Sequence, residues 1–328
     1  MLEVTLLVIT IVLALAYAYA NGMNDAANAI ATVISTRVMT PATAVIMGGI
    51  LNATGALAGT AVAKTIGKEI VDPTLMTQYA VISAILATVL WVFFATRLGL
   101  PVSVSHSLIA SVVGSAFGVA GLTALNITVV TKVLLALALS PLFGFFGGFL
   151  FMIVMYWVFR RRSPATVNRI GSKLQMLAAA ALSFSHGRND GQNAMGIIAL
   201  AWAVRYSRDV QIDMWMILVS AAAIGLGTAI GGYKVIRTLG MKVTRLEPIH
   251  GFSANIAAAA IIEAASQIGM PVSTTHTSAS TIMGVGATRR FSAVRWGVTR
   301  TIAMAWLVTY PVCLVLGYAI SRTFAFVD

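Results

Sequence analysis

Asn21-Gly22-Met23-Asn24-Asp25-Ala26-Ala27-Asn28-Ala29 returns 165 residues later as His186-Gly187-Arg188-Asn189-Asp190-Gly191-Gln192-Asn193-Ala194. A second phrase behaves the same way. Gly99-Leu100-Pro101-Val102-Ser103-Val104-Ser105-His106-Ser107 recurs 170 residues on as Gly269-Met270-Pro271-Val272-Ser273-Thr274-Thr275-His276-Thr277. Two separate matches in one order and at nearly one offset indicate a duplicated unit. The reading that follows is a first repeat over 1–159, a basic linker over 160–173 and a second repeat over 174–328.

The residues around these phrases say what solvent the units meet. Hydrophobic residues make up 59% of 328 positions and charged residues only 10%, with a mean hydropathy of +0.90. A water-soluble domain carries about 25% charged residues, so this chain is expected to be integral to a membrane. Apolar runs fall at 4–35, 42–63, 75–96, 101–120, 130–159, 174–204, 214–236, 249–267, 271–288 and 297–321, enough for ten crossings at about 20 residues each. Gly, Pro and Asn interrupt several runs, so crossing and re-entrant segments are not distinguishable by hydropathy. The expected fold is all-α, with 10–12 transmembrane or re-entrant helices. Five crossings per unit is an odd number, which turns the second copy upside down. Inverted repeats with broken helices are the architecture of secondary transporters, with the site near the midplane.

The net charge of +12 does not point to nucleic acid, because the positive residues lie between apolar runs rather than along one face. Under ten crossings, one set of loops carries 15 of the 22 Lys and Arg residues, the cluster Arg160, Arg161, Arg162, Arg169 and Lys173 among them. The other side carries 6, and Arg188 lies within a run. The basic side faces the cytoplasm, which places 160–173 inside and both termini outside, in the cell membrane. Ala18-Tyr19-Ala20 resembles a leader cleavage site, but the early charge is Glu3 and no Lys or Arg precedes the run. The first run therefore reads as retained. The single Cys313 excludes an internal disulfide framework.

Asn24, Asp25 and Asn28, and likewise Asn189, Asp190 and Asn193, are three or four residues apart and share one side of a helix. A carboxylate inside an apolar run costs roughly 2.5–3.5 kcal/mol on insertion scales, so Asp25 and Asp190 should face an interior site. Carboxylate and amide oxygens suit a hard cation such as Na⁺; the bland alternative is a polar clamp between helices. In the second phrase, Gly followed by Pro interrupts a helix and lets another start. The first turn of that helix, with Ser103, Ser105, Ser107, Ser273, Thr275 and Thr277, offers donors to an oxyanion; the alternative is ordinary capping. His106 and His276 read as accessory, and two histidines without a third ligand do not suit zinc. Arg188 has Met23 as its counterpart and either pairs with Asp190 or faces a mouth of the site. Glu263 has no assignment.

At these residues the chain resembles the inorganic phosphate transporter family of sodium–phosphate symporters and bacterial low-affinity permeases. The resemblance covers essentially the whole length. It implies symport of inorganic phosphate with Na⁺, no resident cofactor, no enzymatic activity, and a homodimer as the assembly to test. Asp25 and Asp190 with their flanking asparagines would then bind cation and substrate, and the Ser/Thr clusters the oxyanion. Many eukaryotic members of that family carry Glu where this chain has Asn52 and Asn255, a departure that bears on cation stoichiometry and proton sensitivity and makes those two positions accessory candidates. The alternatives are proton-coupled permeation of phosphate or sulfate, a passive channel and, remotely, an intramembrane enzyme built on His106 or His276. No nucleophile elbow or His-Glu-x-x-His helix supports the last.

Overall fold

The computed structural model describes residues 2–324, and within them the chain forms twelve α-helices. The first six are α1 (Leu2–Ser35), α2 (Pro41–Ala56), α3 (Ala61–Lys64), α4 (Gln78–Leu98), α5 (Val104–Ala120) and α6 (Ile127–Phe159). The second six repeat the series as α7 (Pro164–Tyr206), α8 (Met214–Ile230), α9 (Tyr233–Arg237), α10 (Pro248–Gln267), α11 (Thr274–Ala287) and α12 (Trp296–Phe324). Even the irregularities are shared. Helices α3 and α9 each run on into a π-helical turn, at Thr65–Glu69 and Thr238–Lys242. They bend from the helix before them by 65° and 59°. The breaks before α5 and α11 both begin at a glycine with φ near +70°, Gly99 and Gly269, a region closed to most L side chains. Pro141 and Pro311 sit inside α6 and α12.

Helix starts follow local chemistry. Pro41, Pro164 and Pro248 occupy first turns, where a missing N–H costs nothing. Thr40, Ser163, Ser103 and Ser273 cap with their side-chain oxygens. Because α7 begins at Pro164, the stretch 164–173 is its first turns. Ser163 and Pro164 make that helix start.

The copies pair head to tail. Helix α1 meets α7 through Tyr17–Asn193, Asp25–His186 and Thr36–Gln175, so the numbers rise on one helix as they fall on the other. Each then lies alongside a helix of the other copy. A β-carbon on Gly22 would stand 2.2 Å from the Ile224 carbonyl of α8, and one on Gly187 1.9 Å from the Asn52 carbonyl of α2. Only glycine permits this backbone approach, the small-residue packing of membrane helices. Helices α4 and α5 fold back as a hairpin, with Ser115 bonded to Ala80 O and Thr88 to Ser107 O.

Five helices, α1, α4, α5 with its following turn, α6 and α12, are long and apolar enough to span a bilayer, or seven spans if each bent pair counts as one. That is fewer than the ten apolar runs, because α7 and α10 carry too many polar residues for the same length and α11 has only 14 residues. Leu142, Phe143, Phe146 and Leu150 on α6, and Leu307 and Val315 on α12, are exposed and form the outer apolar belt. Inside it are two apolar clusters. One takes Leu7–Ala20 positions of α1 and Ala194–Ala201 of α7; the other takes Ala26–Val33 of α1 and Ala179 and Leu182 of α7. The two repeated phrases lie between them.

Candidate transport site

Both acidic residues of the repeated phrase arrive at one place. Asp25 and Asp190 are each 1% exposed, and a carboxylate oxygen from each lies with a ring nitrogen of His186 in a set of atoms all within 4.8 Å of one another. His186 Nε2 stands 3.2 Å from Asp190 Oδ2 and 3.6 Å from Asp25 Oδ2. Its spacing of four from Asp190 puts the two on one helix face. On the ring's far side, Nδ1 lies 2.9 Å from Asn52 Oδ1. The amide of Asn52 is oriented by Thr228: that hydroxyl donates to Ile224 O at 3.0 Å and therefore accepts from Asn52 Nδ2 at 2.6 Å. Nδ1 thus bonds to Asn52, while Nε2 stands between the two buried carboxylates without a hydrogen bond of its own.

The helix α11 supplies the remaining bridge. Thr274 Oγ1 lies 3.2 Å from Asp25 Oδ2 and 3.0 Å from Asp190 Oδ2, so one hydroxyl proton serves two acceptors. Thr275 donates to Asp25 Oδ1 at 3.0 Å, and Ser105 on α5 to Asp190 Oδ1 at 3.3 Å.

The asparagines divide. Thr96 donates to Val92 O, so it accepts from Asn24 Nδ2 at 2.7 Å and leaves Asn24 Oδ1 free. Thr275, having donated to Asp25, accepts from Asn28 Nδ2 at 3.2 Å. Asn193 Nδ2 likewise donates to Tyr17 OH and to Ser105 Oγ. The amide oxygens of Asn21, Asn24, Asn28 and Asn193 are buried with no hydrogen-bond partner. Such oxygens are costly unless something coordinates them. Asn189 differs: its amide nitrogen donates to Ser266 Oγ and Met270 O, and its oxygen accepts from Val272 N at 3.4 Å. It anchors α7 to the break before α11 rather than offering a free oxygen.

Several other sequence candidates are spent on local structure. Ser103 and Ser273 cap their helices, accepting from His106 N and His276 N. Ser107 and Thr277 donate back to the carbonyls of those caps at 2.9 Å. These four therefore set the helix starts, while Ser105 and Thr275 reach the carboxylates. The rings of His106 and His276 meet at a tilt of 35° with centroids 4.5 Å apart, and His276 meets Trp306 at 34° and 4.0 Å. Asn255 ties α10 to α1 through Thr32 and Ala29 O. Arg188 turns away from Asp190 and pairs with Glu263 of α10, which gives that acid its partner. Three residues of the cluster carry no expectation from sequence: His186, Thr274 and Tyr17. The i, i+4 spacing of His186 from Asp190 is a signal that was there to use; Tyr17 reads as core and Thr274 as filler between hydroxyls.

Comparison with known proteins agrees with this geometry. The family model described as "Phosphate transporter family" matches residues 21–317. A "Probable low-affinity inorganic phosphate transporter" of Bacillus subtilis (strain 168) is 40% identical over 301 residues, covering 90% of each chain. One of the same description from Rhizobium meliloti (strain 1021) is 38% identical over 300 residues, again covering 90% of each. A solved structure titled "The sodium-dependent phosphate transporter" superposes with a TM-score of 0.89 at 25% identity, over 99% of this chain and 100% of that one.

Proposed function

The chain belongs to the phosphate transporter family, and from that premise we propose that it is a secondary active transporter carrying inorganic phosphate across the cell membrane with Na⁺. One observation supports Na⁺ above the rest. Buried amide oxygens of Asn21, Asn24, Asn28 and Asn193 stand unpartnered in the two phrases that bear Asp25 and Asp190. An oxygen-only shell of carboxylates and amides is what a hard cation takes.

Phosphate then binds beside the carboxylates at the starts of α5 and α11. Ser105, Thr274 and Thr275, whose hydroxyls donate to the carboxylates in this structure, re-aim them at phosphate oxygens once cations neutralise the carboxylates, and first-turn N–H groups add partial positive charge. Two carboxylates repel an anion until cations stand between them, so each ligand raises the affinity of the other, as reciprocal coupling requires. Each net positive charge carried inward gains roughly 2.3 kcal/mol per 100 mV of potential. In this reading units 1–159 and 174–328 each contribute one carboxylate, both termini lie outside and the basic end lies in the cytoplasm.

A second reading, proton coupling, draws on His186, a titratable ring that stands between the carboxylates. Flux of labelled phosphate into reconstituted vesicles, with Na⁺ and pH gradients imposed separately, decides between them. Accumulation driven by Na⁺ at equal pH is the expected result. Uptake driven by the pH gradient alone would replace Na⁺ with H⁺, and excess sulfate that competes fully would move the substrate away from phosphate.

A further inference from the structure

A pocket of about 290 Å³ opens where α6 ends, α7 and α10 begin and the turn after α11 passes. It lies far along α7 from His186 and shares no residue with the carboxylate cluster. Its floor is apolar: Met152, Met155, Phe159, Val167 and Ile249. Its rim carries Arg160, Arg162 and Arg289, with Tyr156 and Asn168 as neutral donors.

The charges on that rim are not balanced. Glu247 is the acid among the lining residues, and it is engaged by Arg289 across the start of α10. His250 is held there too, 3.2 Å from Tyr156 OH and 3.1 Å from Arg289 Nε. Arg160 lies over the Trp157 ring at 5.0 Å, and the guanidinium of Arg162 meets no acid in any ion pair among the described residues. Exposed Tyr156 and Trp157, and the exposed, stacked rings of Phe291 and Trp296 at the same end, mark the level where aromatic side chains meet headgroups. An apolar floor below a guanidinium rim at that depth matches a molecule with an acyl chain below and a phosphate above. Arginine suits the phosphate through its planar fork of donors.

We propose that this pocket holds the headgroup of an anionic phospholipid, with its phosphate on Arg160 and Arg162 and its upper acyl chain over Met152 and Phe159. The site joins the end of α6 to the starts of α7 and α10, so an occupant braces the helix that carries Asp190 near its middle. A basic end that only satisfies membrane insertion would show no preference among lipids and no dependence on particular arginines.

Native mass spectrometry and thermal unfolding of the purified full-length chain, with dioleoyl phosphatidylglycerol or dioleoyl phosphatidylcholine added, test this. Phosphatidylglycerol should remain bound and raise the melting temperature where phosphatidylcholine does not. Arg160→Gln with Arg162→Gln should weaken its binding at least tenfold. Arg162→Glu alone, at a side chain that leaves the Arg289–Glu247 pair untouched, should do most of that. Equal binding of the two lipids overturns the proposal, as does full retention of phosphatidylglycerol by both variants. Displacement of the lipid by millimolar inorganic phosphate would assign the rim to free phosphate instead.

Discussion

The two copies agree where backbone geometry is at stake and differ where charge is. Gly22 and Gly187, Gly99 and Gly269, Ser103 and Ser273, and the paired π-turns hold the same places in both. Around the carboxylates the copies part. The second has His186 where the first has Asn21, Thr274 where the first has Val104, Arg188 where it has Met23, and Glu263 where it has Phe93. Those four differences load the second copy, while the first alone brings Tyr17, where the second has Leu182. The frame is two-fold and the electrostatics are not, so the two approaches to the site present different chemistry to an arriving anion.

Substitutions that push one copy toward the other show how much that difference matters. The largest effect is expected where the copies are alike. Asp25→Asn or Asp190→Asn should each lower phosphate uptake in proteoliposomes a hundredfold or more with insertion retained, because losing one partner of a buried ion pair costs roughly 3–5 kcal/mol. Near-normal uptake by both would mean the shared acids are not the site. His186→Asn makes the second copy resemble the first and removes the ring that stands between the carboxylates. Hydrogen bonds to charged groups are worth roughly 1.5–3 kcal/mol, so uptake should fall about tenfold or more and its dependence on Na⁺ concentration should steepen. An unchanged Na⁺ curve would show that the ring carries no counter-charge.

Thr274→Val, which copies Val104, removes one hydroxyl shared by two carboxylates. A loss of about 1 kcal/mol, or roughly a fivefold rise in KM for phosphate, should follow; an unaltered KM would move the anion elsewhere. The smallest effect belongs to Arg188 and Glu263, whose side chains are both 26% exposed. A double-mutant cycle with Arg188→Met and Glu263→Gln, followed by thermal unfolding, should give a coupling near 0.5–1 kcal/mol. A coupling of several kcal/mol would make the pair a main lock between α7 and α10.

Much of this was written in the chain. The doubled Asn-Asp phrase located both acids, and the doubled Gly-x-Pro located both helix breaks, because glycine and proline act on their own backbone. The pairing of helices across copies was not legible: backbone approach at Gly22 and Gly187 depends on which helix comes alongside, and composition does not say. Ser103, Ser105 and Ser107 look interchangeable in sequence, yet one caps, one reaches Asp190 and one bonds back to its own turn, since each hydroxyl's direction follows from the helix start. Tyr17 passed for core because a phenol in an apolar run looks like packing until Asn193 is placed beside it. The ten apolar runs map closely onto helices, but hydropathy could not separate lipid contact from protein contact along α7.

The continuity of α1 and α7 has a mechanical meaning. Each runs unbroken through both apolar clusters, and at 1.5 Å per residue they are about 50 and 65 Å long. A stiff rod gripped at two levels cannot swing out of one grip without pressing deeper into the other. Movement at one cluster is therefore transmitted along both helices to the other.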